Sequence, residues 1–146
     1  LNSIMVLGKV GRFASEEVLI SLLVTKCFPC LLYGVEACPL LARNKSSFDF
    51  LLTRTFMKLF HTGSPVVVKQ CQLQFNVLPF HFQLDIRTAK FLEEFVSSTN
   101  SICMLFKQRA LLQLHNLCAV YGDHVKTSYD ICTKIVNLFA ESALLA

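Results

Sequence analysis

Phe28-Pro29-Cys30-Leu31-Leu32-Tyr33-Gly34-Val35-Glu36-Ala37-Cys38-Pro39-Leu40 is the least polar stretch of the chain, and its single charge is Glu36. A buried segment excludes a carboxylate unless something pairs with it. Pro29 suits the first turn of a helix, and Pro39 ends or kinks one. The stretch therefore reads as a central, mostly buried helix. In that reading Gly34 permits close approach and Glu36 is held by a partner.

Upstream, Ser15 followed by Glu16 and Glu17 is a helix start, a hydroxyl N-cap with acids against the positive end of the dipole. This helix is expected over 15–26, with Lys26 in its last turn. Downstream, residues 41–47 (LARNKSS) read as a polar connector in which Asn44 or Ser46 caps the next helix. In 48–60, Phe48, Leu52, Phe56 and Leu59 recur at helical spacing and form a core face. Arg54, Lys58 and, if the helix extends that far, His61 line the opposite side. Such a row serves either as a phosphate-contacting ridge or simply as a solvated face.

Thr62-Gly63-Ser64-Pro65 is a stop-and-restart signal. The following Pro65–Gln74 reads as a short helix, although three consecutive valines favour a strand. A long helix is expected over 79–97, with Phe82, Ile86, Ala89, Phe91, Leu92, Phe95 and Val96 on its apolar face. The run Ser97-Ser98-Thr99-Asn100-Ser101 is the most turn-like in the chain. A helix over 102–121 follows, with Phe106, Ala110, Leu114, Leu117, Cys118 and Tyr121 inward and Gly122 ending it. Asp123 caps a last helix to Leu144, with Tyr129, Cys132, Val136, Phe139 and Ala143 inward. The expected fold is all-α, an irregular bundle of about six or seven helices with no substantial sheet. Residues 1–97 are expected to form one helical region and 98–146 a C-terminal helical region packed on it.

Composition limits the function classes. The 146 residues suffice for one domain with a real core. With 53% apolar and only 16% charged residues, the chain is too apolar to be disordered, and the excess implies a surface that packs against something else. A net charge of +4 permits a polyanionic partner without demanding one. A membrane span needs about 20 apolar residues in a row. The best window, 18–42, is interrupted by Lys26 and Glu36 and cut by two prolines, so no span is expected. No signal peptide is evident, and a first residue of Leu1 points to a fragment. The seven cysteines are an odd number scattered through apolar stretches, which suggests reduced, buried thiols in an intracellular protein, nuclear or cytoplasmic.

The sequence offers no self-contained active site. Cys27-x-x-Cys30 has metal or redox spacing, with Cys38 and His61 as further conceivable ligands. A structural zinc site needs two such pairs, and a thioredoxin-like site needs a βαβ setting. The four histidines and the four aspartates stand singly, and no glycine-rich phosphate loop is present. No metal, cofactor or small-molecule substrate is expected.

The order of landmarks resembles one family. Gly8-Lys9-Val10-Gly11-Arg12 is followed by Ala14-Ser15-Glu16-Glu17 and Lys26-Cys27-x-Pro29. Leu31-Leu32-Tyr33-Gly34-x-Glu36-Ala37-Cys38-Pro39-Leu40 comes next, then Phe56-Met57-Lys58-Leu59-Phe60 and a Thr-Gly-Ser turn. This is similar to the region after the catalytic palm in non-LTR (LINE-type) retrotransposon endonuclease–reverse transcriptases. The match covers residues 1–75 and weakens through 91–100. The resemblance implies the helical thumb and its C-terminal continuation, which grip the template–primer duplex beside the palm. It places Tyr33, Gly34 and Glu36 in a structural motif helix, with Arg54 or Lys58 as the expected partner of Glu36. The palm aspartates that hold the catalytic metals are missing, so this part of an RNA-directed DNA polymerase is expected to be inactive by itself. The implied partners are an RNA or RNA–DNA duplex, contacted through Lys9, Arg12, Arg54 and Lys58, and the parent protein's palm domain. Two other readings remain open, an inert remnant of a decayed mobile element and a small helical membrane-associated protein.

Overall fold

A computed structural model describes residues 14–38 and 40–145. Among them every regular element is helical, as expected. In chain order these are α1 (Glu16–Leu22), a π-helical turn (Leu23–Cys27), α2 (Phe28–Leu31), a 3₁₀ turn (Val35–Ala37), α3 (Ala42–Leu59), α4 (Pro65–Gln74), α5 (Phe80–Ser97), α6 (Ser101–Tyr121) and α7 (Ser128–Leu144).

Pro29 does not open a new helix. The chain runs helically from α1 into α2 through the π turn, where Phe28 N–H donates to the Leu23 carbonyl. Pro29 has no N–H to offer the carbonyl four residues back, and its ring crowds that carbonyl. Widening the preceding turn to π spacing lets the helix continue past it. The helix then stops at Leu32, well short of Leu40. Gly34 sits at φ +69° with nothing within 4 Å of the position a Cβ would take, so its role is conformational and not close approach. Only a residue tolerant of the left-handed region makes that turn without strain. Tyr33, at the bend, is 87% exposed. The expected central buried helix is thus a short helix, a left-handed turn and a 3₁₀ turn. By length and composition Glu16–Ala37 could cross a bilayer, which the sequence reading did not expect. In the fold this stretch sends Leu19, Ile20, Leu23, Cys27 and Leu32 into the core.

α3 begins at Ala42, so the expected polar connector is helix. Its hydroxyls are satisfied internally: Ser46 and Ser47 donate to the carbonyls of Ala42 and Arg43, and Thr53 and Thr55 to those of Asp49 and Leu51. Bonding back by one turn lets a serine-rich run stay helical. Leu41 occupies the N-cap without a side-chain bond, so neither Asn44 nor Ser46 caps. In α4 the three valines are helical. Ser64 and Pro65 start the helix, and Val68 is buried.

The centre of the fold is α5. It packs against α3, α6, α7 and the 3₁₀ turn. One apolar cluster joins α1 and the π turn to α3 and α4 through Ile20, Leu23, Leu52, Phe56 and Val68. A second joins Leu32 to Phe80 and Leu84 of α5, with Phe48 stacked on Phe80. A third joins Ala89 of α5 to Cys118 and Tyr121 of α6 and Ile131 and Ile135 of α7. In α6 Ala110, Cys118 and Tyr121 are buried as expected, but Phe106 is exposed among the described residues. In α7 the inward row is Ile131, Ile135, Phe139 and Ala143, whereas Tyr129 and Val136 face outward. The cap of α7 is Thr127 with Asp130 in a reciprocal capping box, not Asp123.

Candidate functional site

Arg54 and Lys58 both lie exposed on α3, as the spacing predicts. Arg43, Ser47, Phe50, Arg54 and Lys58 follow one another by four, three, four and four residues and occupy one side of the helix. All five are exposed. At 1.5 Å per residue the row spans about 22 Å. The Arg54 guanidinium carbon lies 5.6 Å from the centroid of the Phe50 ring, which is itself 64% exposed. A cation over an aromatic face is held electrostatically and kept extended. Arg43 and Ser47 lie in 41–47, whose polar composition reads as a connector and hides the upper half of the row; Phe50 lies within the expected helix, where its spacing of four from Arg54 was the available signal. α3 ends at Leu59, and His61 lies beyond it at φ +48°, off the row. Lys9 and Arg12, the other expected duplex contacts, lie outside the described residues.

Within the described residues Arg43, Arg54 and Lys58 form no ion pair. The ion pairs there are Lys45–Asp85 at 3.5 Å, His81–Asp49 at 2.7 Å and Arg87–Glu36 at 3.8 Å. Asp49, the only carboxylate of α3, is turned toward α5, where it accepts hydrogen bonds from the His81 ring and from the His81 backbone N–H. Asp85 accepts the Tyr121 hydroxyl as well as pairing with Lys45. Lys45 and Asp49 on α3 thus meet Asp85 and His81 on α5 as a two-rung antiparallel ladder, each pair four residues apart. That matching spacing was the available sequence signal, since residues four apart share a helix face. Burial, then the hydrogen bond to Asp85, pushes the Tyr121 hydroxyl well above the ordinary tyrosine range. The ladder clamps two helices. It leaves the outer side of α3 purely cationic.

Glu36 finds Arg87 of α5, not Arg54 or Lys58. The left-handed turn at Gly34 lays the 3₁₀ turn against α5, while Arg54 and Lys58 point away on the outer side of α3. At 3.8 Å the contact is an ion pair without a hydrogen bond. Glu36 Oε2 is buried with no hydrogen-bond partner among the described residues. Tyr33 and Gly34 make the bend, so the motif does conformational work.

All seven cysteines are free, and Cys30 and Cys38 are exposed where buried thiols were expected. Cys30 lies on the outer side of α2, and Cys38 follows the 3₁₀ turn. Burial, with a smaller contribution from Cys30, raises the Cys27 thiol and disfavours its thiolate. Among the described residues no group of three metal-ligating side chains comes together. Comparison with family profiles, with characterised proteins and with solved structures returned no match.

Proposed function

We propose that the chain is a thumb-like helical portion of a LINE-type reverse transcriptase, non-catalytic by itself. In this reading it holds the phosphate backbone of an RNA–DNA duplex through Arg43, Arg54 and Lys58. The observation that carries the reading is the α3 row, three exposed cations on one side of one helix with no carboxylate among them. Such a row suits the regular negative charge of a duplex and reads no base sequence. Phe50 beneath Arg54 adds a surface on which a sugar or an end base can rest. The order of landmarks from Gly8 to Phe60 supports the parentage, and the all-α fold agrees with a thumb. The palm of the parent protein is the proposed structural partner.

Filter binding of the chain to an RNA–DNA duplex at low salt tests the proposal. Measurable, sequence-independent retention that drops in the triple variant Arg43→Ala, Arg54→Ala, Lys58→Ala is the expected result. No retention at low salt, or retention unaffected by the triple change, would leave the inert-remnant reading in its place.

A further inference from the structure

The outer side of α6 exposes large apolar side chains over most of its length. Ile102, Leu105, Arg109, Leu112, Asn116 and Ala119 recur at alternating spacings of three and four, and all six are exposed. Leu105 is 80% exposed and Ile102 65%. This is the heptad pattern of a seam that receives another helix. The opposite side of α6, with Ala110, Cys118 and Tyr121, is already buried against the fold, so the seam is a second face.

The charges say what covers it. α6 carries Lys107 and Arg109 and no acidic residue. Arg109 sits within the seam between Leu105 and Leu112, and Asn116 follows one heptad later. Covering Arg109 removes it from water, which is tolerable only if a carboxylate meets it. A second copy of this face adds two more cations and no carboxylate, so it offers Arg109 no acidic partner. Residues 1–13 contribute Lys9 and Arg12 and no carboxylate, so they have the same sign. Hydrocarbon leaves both Arg109 and Asn116 without partners along the middle of the contact. We infer that the seam of α6 docks an acidic amphipathic helix of another polypeptide segment, with a carboxylate opposite Arg109. The inference is independent of the α3 row.

The test uses the full chain and two labelled helical peptides with leucines at the seam positions. One has glutamates at the position facing Arg109 and at the flanking positions, and the other has lysines there. Anisotropy should show the acidic peptide binding at least about tenfold more tightly than the basic one. Arg109→Glu should reverse that preference. Leu105→Asp should weaken the acidic peptide about tenfold without moving the thermal midpoint, because the side chain is solvent-exposed. Four results would overturn the inference: equal binding of the two peptides, no binding of either, a preference unchanged by R109E, or binding to phosphatidylserine vesicles with neither peptide bound. Self-association of the chain that L105D abolishes would also overturn it, in favour of a second copy.

Discussion

Gly34 and Glu36 sit two residues apart and do different work. Gly34 holds φ +69°, where any side chain strains the backbone. Gly34→Ala should therefore destabilise the fold by about 1 kcal/mol even though the position is open. A chemical denaturation curve measures this, and an unchanged midpoint would refute the conformational role. Glu36 and Arg87 form a long, partly solvated pair. A double-mutant cycle between them should give a coupling below about 1 kcal/mol. Tyr121 is different, because its hydroxyl donates to Asp85 at 2.7 Å in a half-buried setting. Tyr121→Phe should cost about 2 kcal/mol, as loss of a hydrogen bond to a charged group does. Its raised pKa also sets a pH dependence. The unfolded chain releases this proton near pH 10 while the folded chain retains it, so the contribution is whole below about pH 10 and declines above it. The Y121F variant should lose that alkaline component.

At the scale of the element, caps and buried rows decide where helices sit. Thr127 accepts from the Asp130 N–H, and Asp130 accepts from the Lys126 and Thr127 N–H groups. Thr127→Ala should destabilise by about 1 kcal/mol, the usual worth of an N-cap. These bonds, the one from Lys126 foremost, hold the Asp130 carboxyl below the ordinary range. Its stabilising contribution is thus present above the ordinary carboxylate pKa and is lost as pH falls through the lower folded value. Helix identity was largely legible. The periodicity located the buried rows of α3 and α6, in α5 it found Ala89 and Leu92 but missed Phe80 and Leu84, and the Ser64-Pro65 start outweighed the valines of α4. What the sequence hid was set by longer-range packing. Ser46 and Ser47, which bond back one turn, made residues 41–47 look like loop. In α7 the expected row shares Phe139 and Ala143 with the observed one, but packing on α5 and α6 buries Ile131 and Ile135 in place of Tyr129 and Val136. The ladder joining Lys45, Asp49, His81 and Asp85 needed two helices in register, which no local window displays.

At the scale of the whole molecule, α5 is the scaffold and α3 presents the face proposed to hold the duplex. Phe56, fully buried, joins α3 to α1 and α4. The two charged rungs and the Phe48–Phe80 stack join α3 to α5. With its inner side held on these contacts, α3 carries Arg43, Phe50, Arg54 and Lys58 exposed along its outer side. The low charge content of the sequence therefore conceals a locally concentrated cationic surface. The apolar seam of α6 is a separate feature on another helix. The most direct test of the central claim is the salt dependence of RNA–DNA duplex affinity for the wild-type chain and the R43A/R54A/K58A variant. Logarithmic affinity should fall with logarithmic salt concentration, and the variant's slope should be shallower by roughly one unit for each cation removed. Identical slopes, or affinity insensitive to salt, would contradict the assignment of α3 as the duplex-binding face.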